Sequence, residues 1–292
     1  MCGASSGPNR RRNVGLASLL ACILSAGLWG AGTGMAQQDL PESLRDLFEA
    51  GVMAEKAGRL DEAEKDFQSV VLQGGGVAFV RHNLGTIYQQ RGDHTRAIAE
   101  FRAAIRMQPG FAPSHILLGA SLRATGAFPE AIRELERGSE LAPREPAAHL
   151  ELAKVYDQIG DRFGVVNQYQ ILCALAPGDP EYTYQMAQAY LRLSQWCIKE
   201  IRRGAPESAR MYEIRAEVLL GQGQAERAIH FYQRAVQVDP SLPGLHLALA
   251  QIYLDQNRPG EAQREITQEL ALVPESLAAK ALAGRIASRQ GP

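Results

Sequence analysis

Residues 78–111 read AFVRHNLGTIYQQRGDHTRAIAEFRAAIRMQPGF. Leu84, Gly85 and Tyr88 sit at helical spacing before Gly92, and Ala97, Phe101 and Ala104 sit at helical spacing after it. Pro109 then closes the stretch, and proline disfavours helix at the residue before it. The reading is helix, tight turn, helix, break. Outward from Gly85 the same small residue returns at Gly51, Gly119, Ala153, Ala187, Ala216 and Ala250, in steps of 34, 34, 34, 34, 29 and 34 residues. A unit of that length cannot bury its own apolar face, so it must stack on its neighbours.

Further columns keep the period. The turn column reads Gly58, Gly92, Gly126, Gly160, Ser194, Gly223 and Asn257, mostly residues that reach positive φ cheaply where a helix must stop. Ala63, Ala97, Ala131, Val165, Ala228 and Ala262 form a second small column. Phe67, Phe101, Leu135, Tyr169, Tyr232 and Ile266 form a bulky one four residues later, and prolines at 109, 143, 177, 206, 240 and 274 end the units. Small residues let two helices approach and bulky ones fill the space beside them.

Leu84-Gly85 with Tyr88, then Gly92, Ala97, Phe101 and Pro109, resemble the tetratricopeptide repeat, returning with drift about seven times over residues 44–276. The resemblance implies an all-α solenoid with units at 44–77, 78–111, 112–145, 146–179, 180–208 (shortened), 209–242 and 243–276. It also implies a right-handed superhelix whose groove, lined by first helices, receives a peptide or protein segment. The aromatic that often opens the family's first helix is replaced by Leu47, Arg81, His115, His149 and His246 among others. Leu277, Ala281, Leu282 and Ile286 recur at helical spacing opposite Lys280, Arg285, Ser288 and Arg289, which predicts a terminal helix capping the seventh unit.

The N-terminus follows a different grammar. Arg10, Arg11 and Arg12 precede an apolar run from Val14 to Trp29, and Gly34-Met35-Ala36 offers a cleavage site before Gln37. The run is shorter than the about 20 residues of a membrane span, so residues 1–36 read as an export signal with 37–43 as a linker. Two alternatives stay open: an uncleaved anchor, and lipidation of Cys22 in the box Leu19-Leu20-Ala21-Cys22. The expected location is exported, in the periplasm, with membrane attachment only in those two cases.

Without the leader, 28 basic residues face 32 acidic ones, a net charge of −4. No basic surplus is available to neutralise a phosphate backbone, which argues against nucleic acid as partner. Cys173 and Cys197 remain in the exported chain. Their expected axial offset of about 15 Å, ten residues of helix rise, argues against a disulfide, which needs Cα atoms within about 7 Å.

The chemistry-bearing residues are thinly spread. His115, His149 and His246 occupy one repeat column and read as amphipathic side chains packed between helices, too far apart to share a metal ion. Paired carboxylates such as Glu62/Glu64 and Glu134/Glu136 read as solvated. There is no paired-histidine helix motif, nucleophile elbow or phosphate loop. The expectation is a non-enzyme without cofactor or metal.

Spacing on the first helices places His82, Gln89, Arg123, Glu151, Leu247 and Gln251 among the groove positions. The columns that grip a terminal carboxylate in some relatives hold His82, Thr86, Leu117, Ala147 and Glu151, so that clamp is absent. The fifth unit is irregular: Pro206 follows Ser194 by 12 residues, against 17 from Gly92 to Pro109. A short second helix, with Trp196 filling the gap, is expected there. The candidate partner-binding residues lie beside this irregularity: Leu150, Lys154 and Asp157 as one stripe, and Tyr184, Gln185, Gln188 and Arg192 as the next. An aromatic and an arginine among hydrogen-bonding groups is a composition enriched at binding hot spots. The runner-up to an envelope interaction scaffold is a lipid-anchored assembly factor for an outer-membrane, pilus or polysaccharide-export machine. An enzyme or sugar-binding module comes third.

Overall fold

A computed structural model describes residues 40–75 and 77–290. The leader, with Cys22 and the cleavage site before Gln37, lies outside the described residues, as do residues 37–39 of the expected 37–43 linker, whose Glu42 and Ser43 already belong to the first helix. Among the described residues there are 14 α-helices and no strand. No helix among them is long and apolar enough to cross a membrane.

The chain divides into two compact units, one ending at Met186 and one starting at Ala187. Unit one holds four helix pairs: α1 (Glu42–Lys56) with α2 (Leu60–Leu72), α3 (Ala78–Gln90) with α4 (His94–Met107), α5 (Ala112–Ala124) with α6 (Phe128–Leu141), and α7 (Pro146–Ile159) with α8 (Arg162–Leu175). Helix α9 (Pro180–Gly204) contains the boundary. Unit two holds α10 (Ala209–Gly221) with α11 (Ala225–Val238), α12 (Leu245–Asp255) with α13 (Pro259–Leu272), and α14 (Leu277–Gln290). The architecture is an all-α solenoid of helix pairs with a terminal helix. Seven repeat places are occupied, six of them by pairs.

The turns explain the register. Gly58, Gly92, Gly126, Gly160 and Gly223 hold φ between +73° and +82°, and Asn257 holds +58°. Each stops a first helix and lets the second fold back on it. In the fifth place the expected turn at Ser194 does not form: Pro180–Gly204 is one helix of 25 residues. Serine pays a steric cost for left-handed backbone that glycine does not. No glycine or proline stands between Pro180 and Gly204, so the hydrogen-bond ladder runs through. The short second helix expected from Trp196 onward is the C-terminal half of this rod.

The small and bulky columns interlock. A methyl group on Gly85 would lie 2.6 Å from Cε1 of Phe101, and one on Gly51 would lie 2.8 Å from Cε1 of Phe67. Both phenylalanines are fully buried. A missing side chain on the first helix is therefore the hole into which the second helix drives a ring, and burying each ring is worth roughly 2–3 kcal/mol. Ala153, Ala216 and Ala250 take the same place in the later units. Unit one has a core running from Leu40 to Val155, and unit two has its own from Ala209 to Ile286. Helix α9 joins neither core, and Ala189 is its one buried residue. Terminal helix α14 buries Ala279, Leu282 and Ile286, whereas Leu277 and Ala281, expected on its inner face, are exposed.

Candidate functional site: the first-helix row

In each unit successive first helices touch one another, α3 on α5 and α5 on α7 in unit one, and α12 on α14 in unit two. Where they meet in unit one, side chains at groove positions tie them together. His82 Nδ1 on α3 lies 3.0 Å from the Ser114 hydroxyl on α5. Gln89 Nε2 donates to the Leu117 carbonyl at 3.2 Å and to the Ser121 hydroxyl at 2.9 Å. Arg123 Nε on α5 donates to Glu151 on α7 at 2.9 Å, and Lys154 Nζ supplies the other carboxylate oxygen at 2.6 Å. Glu151 is 4% exposed, and both of its oxygens are partnered by cations. This is the arrangement that makes a buried carboxylate tolerable.

His82 is packed between the rings of Phe101 and Phe111, at 5.6 and 5.1 Å. Burial pushes its pKa down to about 4, so the ring is neutral near pH 7. Several groove positions read from the sequence as partner-facing are thus engaged in joining helix to helix.

A second set of contacts was not foreseen. The column of Arg81, His115, His149 and His246 reaches from each first helix to the residue 19 positions on in its own second helix. The pairs are Arg81–Glu100 at 2.9 Å, His115–Glu134 at 2.7 Å, His149–Gln168 at 2.8 Å and His246–Glu265 at 2.6 Å. The histidines are packed between helices, as their column suggested, and each also closes a clasp. His115 has a carboxylate on Nδ1 and the Pro109 carbonyl on Nε2 at 3.0 Å. Two acceptors on one ring favour the imidazolium, and the Glu134 bond raises the pKa against the opposing effect of burial. The signal was present in the sequence as a second polar column, Glu100, Glu134, Gln168 and Glu265.

The candidate binding residues fall into two sets. Leu150, Lys154 and Asp157 lie on α7 in unit one; Leu150 and Lys154 are half-buried and Asp157 is exposed. Tyr184, 57% exposed, and half-buried Gln185 stand on the part of α9 within unit one, where Gln185 Nε2 donates to Glu181 at 2.7 Å. Gln188 and Arg192 continue the same helix face beyond the unit boundary. Among the described residues no group of three or more His, Cys, Asp or Glu side chains is placed to hold a metal ion. Cys173 and Cys197 are free and partly buried.

A family model described as tetratricopeptide repeat matches residues 88–155 and 219–286. No curated protein matches the chain. Among solved structures, a tetratricopeptide repeat protein from Parabacteroides merdae is 15% identical, covers 85% of this chain and all of its own, and has a TM-score of 0.48. The C-terminal part of a repeat-containing protein from Cytophaga hutchinsonii is 14% identical over 80% of this chain and 98% of its own, with a TM-score of 0.48. MamA is 18% identical over 68% of this chain and 93% of its own, with a TM-score of 0.45. The two matched stretches, and the same helix pair at Glu42–Leu72 outside them, make this chain a member of the tetratricopeptide-repeat family.

Proposed function

We propose that this chain is a non-enzymatic interaction scaffold of the bacterial cell envelope, exported by its N-terminal segment, that holds a peptide or protein segment on the first-helix row of unit one. The family's fold supports protein interaction in general. The observation that carries the finer reading is the fastening of α3, α5 and α7 through His82–Ser114, Gln89–Ser121 and Arg123–Glu151. A row tied by its own side chains is organised before a partner arrives, so less ordering entropy is lost on binding. Lys154 and Asp157 on α7 then supply charge and hydrogen bonding, and Tyr184 on α9 supplies an exposed ring.

Two measurements test this. Intact-mass analysis of the native protein is expected to place the mature N-terminus at or near Gln37. A start at a lipidated Cys22 favours the membrane-anchored assembly factor instead. Affinity capture from the native envelope is expected to lose its partner when Lys154→Ala and Tyr184→Ala are combined, by about 2 kcal/mol or more in affinity, the hot-spot scale. Undiminished capture with unchanged helicity removes the α7 row from the site.

A further inference from the structure

Ala187 stands in the small column of the first helices, yet it is exposed, whereas the other six members of that column, from Gly51 to Ala250, are buried. In the regular repeats the second helix turns back and sets a bulky side chain over the small residue, as Phe67 does over Gly51 and Phe101 over Gly85. In the fifth place the chain runs on as a rod through Ser194, so no second helix of the same repeat returns over Ala187. On the same face lie Leu191, 53% exposed, and exposed Ser194, with half-buried Ile198 and Ile201 further along. The steps from Ala187 through these residues are 4, 3, 4 and 3, the alternation that lays one stripe of a helix against a partner helix. All five charged residues between positions 187 and 204 fall at other positions. The stripe lies wholly in unit two.

The complement of this stripe is written further along the same helix. In the second helices a small residue is followed four positions later by a bulky one, Ala63 by Phe67 and Ala97 by Phe101. Cys197 and Ile201 repeat that pairing in the C-terminal half of α9. A straight helix cannot lay its end on its own beginning, but two copies running antiparallel can. Positions 187 and 201 lie seven residues either side of Ser194. A twofold axis through Ser194 therefore sets Ile201 of each chain over Ala187 of the other, and Cys197 beside Leu191. Every contact is made twice, as a self-complementary interface requires. The residue on the axis is a serine, small enough for two helices to approach closely.

We infer that α9 is a dimerisation helix: a second copy of this chain supplies the second helix that the fifth repeat lacks, and receives the same in return. The exchange has the form of a domain swap, in which a turn that would close one chain opens into a continuous element shared by two. One helix pair is a small interface, so a dissociation constant of about 1–100 µM is expected. The dimer does not depend on the α7 row, because none of its residues lies there.

The test uses the full chain. Sedimentation from about 1 to 200 µM is expected to show a monomer–dimer equilibrium. Leu191→Glu, a change at an exposed position, is expected to weaken it about tenfold or more with helicity unchanged. Disulfide trapping then fixes the register, in a chain whose four native cysteines are replaced by serine. Helix axes about 8 Å apart bring residues on the twofold axis within the about 7 Å between Cα atoms that a disulfide allows. Ser194→Cys is therefore expected to give a covalent dimer under mild oxidation. Ala187→Cys alone is not, because its two copies stand about 21 Å apart along the axis, 14 residues of helix rise. Mixing the Ala187→Cys chain with an Ile201→Cys chain is expected to give the crosslinked heterodimer. Four results overturn the inference: a monomer at every concentration, which leaves the stripe to a helix of some other protein; a dimer that Leu191→Glu leaves intact; trapping at Ala187→Cys as efficient as at Ser194→Cys; or a double Ala187→Cys, Ile201→Cys variant that closes its disulfide within one chain, which makes the chain's own folded-back helix the occupant.

Discussion

Arg123 on α5 and Glu151 on α7 form a 2.9 Å ion pair between adjacent repeats, with the carboxylate 4% exposed. Removing the cation leaves a buried charge with Lys154 as its remaining ion-pair partner. Arg123→Ala is therefore expected to destabilise unit one by about 2–4 kcal/mol, more than its exposure suggests. Arg123→Ala combined with Glu151→Gln is expected to recover part of that loss. Urea unfolding of the four proteins of the cycle checks both statements, and additive losses contradict the coupling.

The hole beside Phe101 makes another steric prediction. Gly85→Ala forces a methyl group to 2.6 Å from a fully buried ring, so either the ring or the helix must shift. The expected cost is about 1–3 kcal/mol, although alanine is the better helix former. Thermal melting decides it, and a rise in the melting temperature refutes the interlock.

Serine in the turn column permits a test by sign. Within a helix, Ser194→Ala improves propensity and is expected to stabilise by a few tenths of a kcal/mol. At Gly92, with φ of +78°, the same change to alanine is expected to cost about 1 kcal/mol. If Ser194→Ala is instead as costly as Gly92→Ala, α9 is broken there in solution.

Two histidines give opposite pH dependences. The pKa of His115 is raised, first by its bond to Glu134, so its stabilisation is fully present below the unfolded value of about 6.5 and fades as pH rises through the folded value. His115→Gln is expected to cost most at pH 5 and least at pH 9. His82 is depressed by burial to about 4, so its neutral ring favours the fold above about 6.5 and that contribution is lost as pH falls toward 4. His82→Asn is expected to flatten the acid side of the stability profile. Chemical unfolding across pH 4–9 checks both, and parallel profiles for the two variants contradict the assignment.

Helix α14 covers the end of unit two with Ala279, Leu282 and Ile286, each 0–4% exposed. Truncation after Pro274 uncovers their apolar counterpart on the seventh repeat. A lower melting temperature or self-association is expected, read by calorimetry and sedimentation. A monomeric truncation product with unchanged melting removes the capping role.

The repeat was legible because the residues that build it act locally or at a fixed offset. Gly92 stops a helix by its own backbone freedom, and Gly85 and Phe101 meet because 16 residues separate them in a helix pair. The helix-pair fold, its turns and its bulky column therefore follow from one period read down the chain. The clasps of the histidine column were equally periodic, but they needed a second polar column to be recognised.

The continuous helix α9 was another matter. A turn column occupied by serine leaves two outcomes close in energy, and the ladder through residues 180–204 prevailed because nothing there breaks it. The ties between repeats belong to tertiary structure too. Arg123 and Glu151 each read as groove-facing, and packing α5 against α7 turned them toward each other. Sequence alone determined which residues stop and pack the helices of this protein, because propensity and periodicity are written along the chain. Only tertiary structure decided which polar groups remain for a partner, because burial and pairing depend on the neighbouring helix.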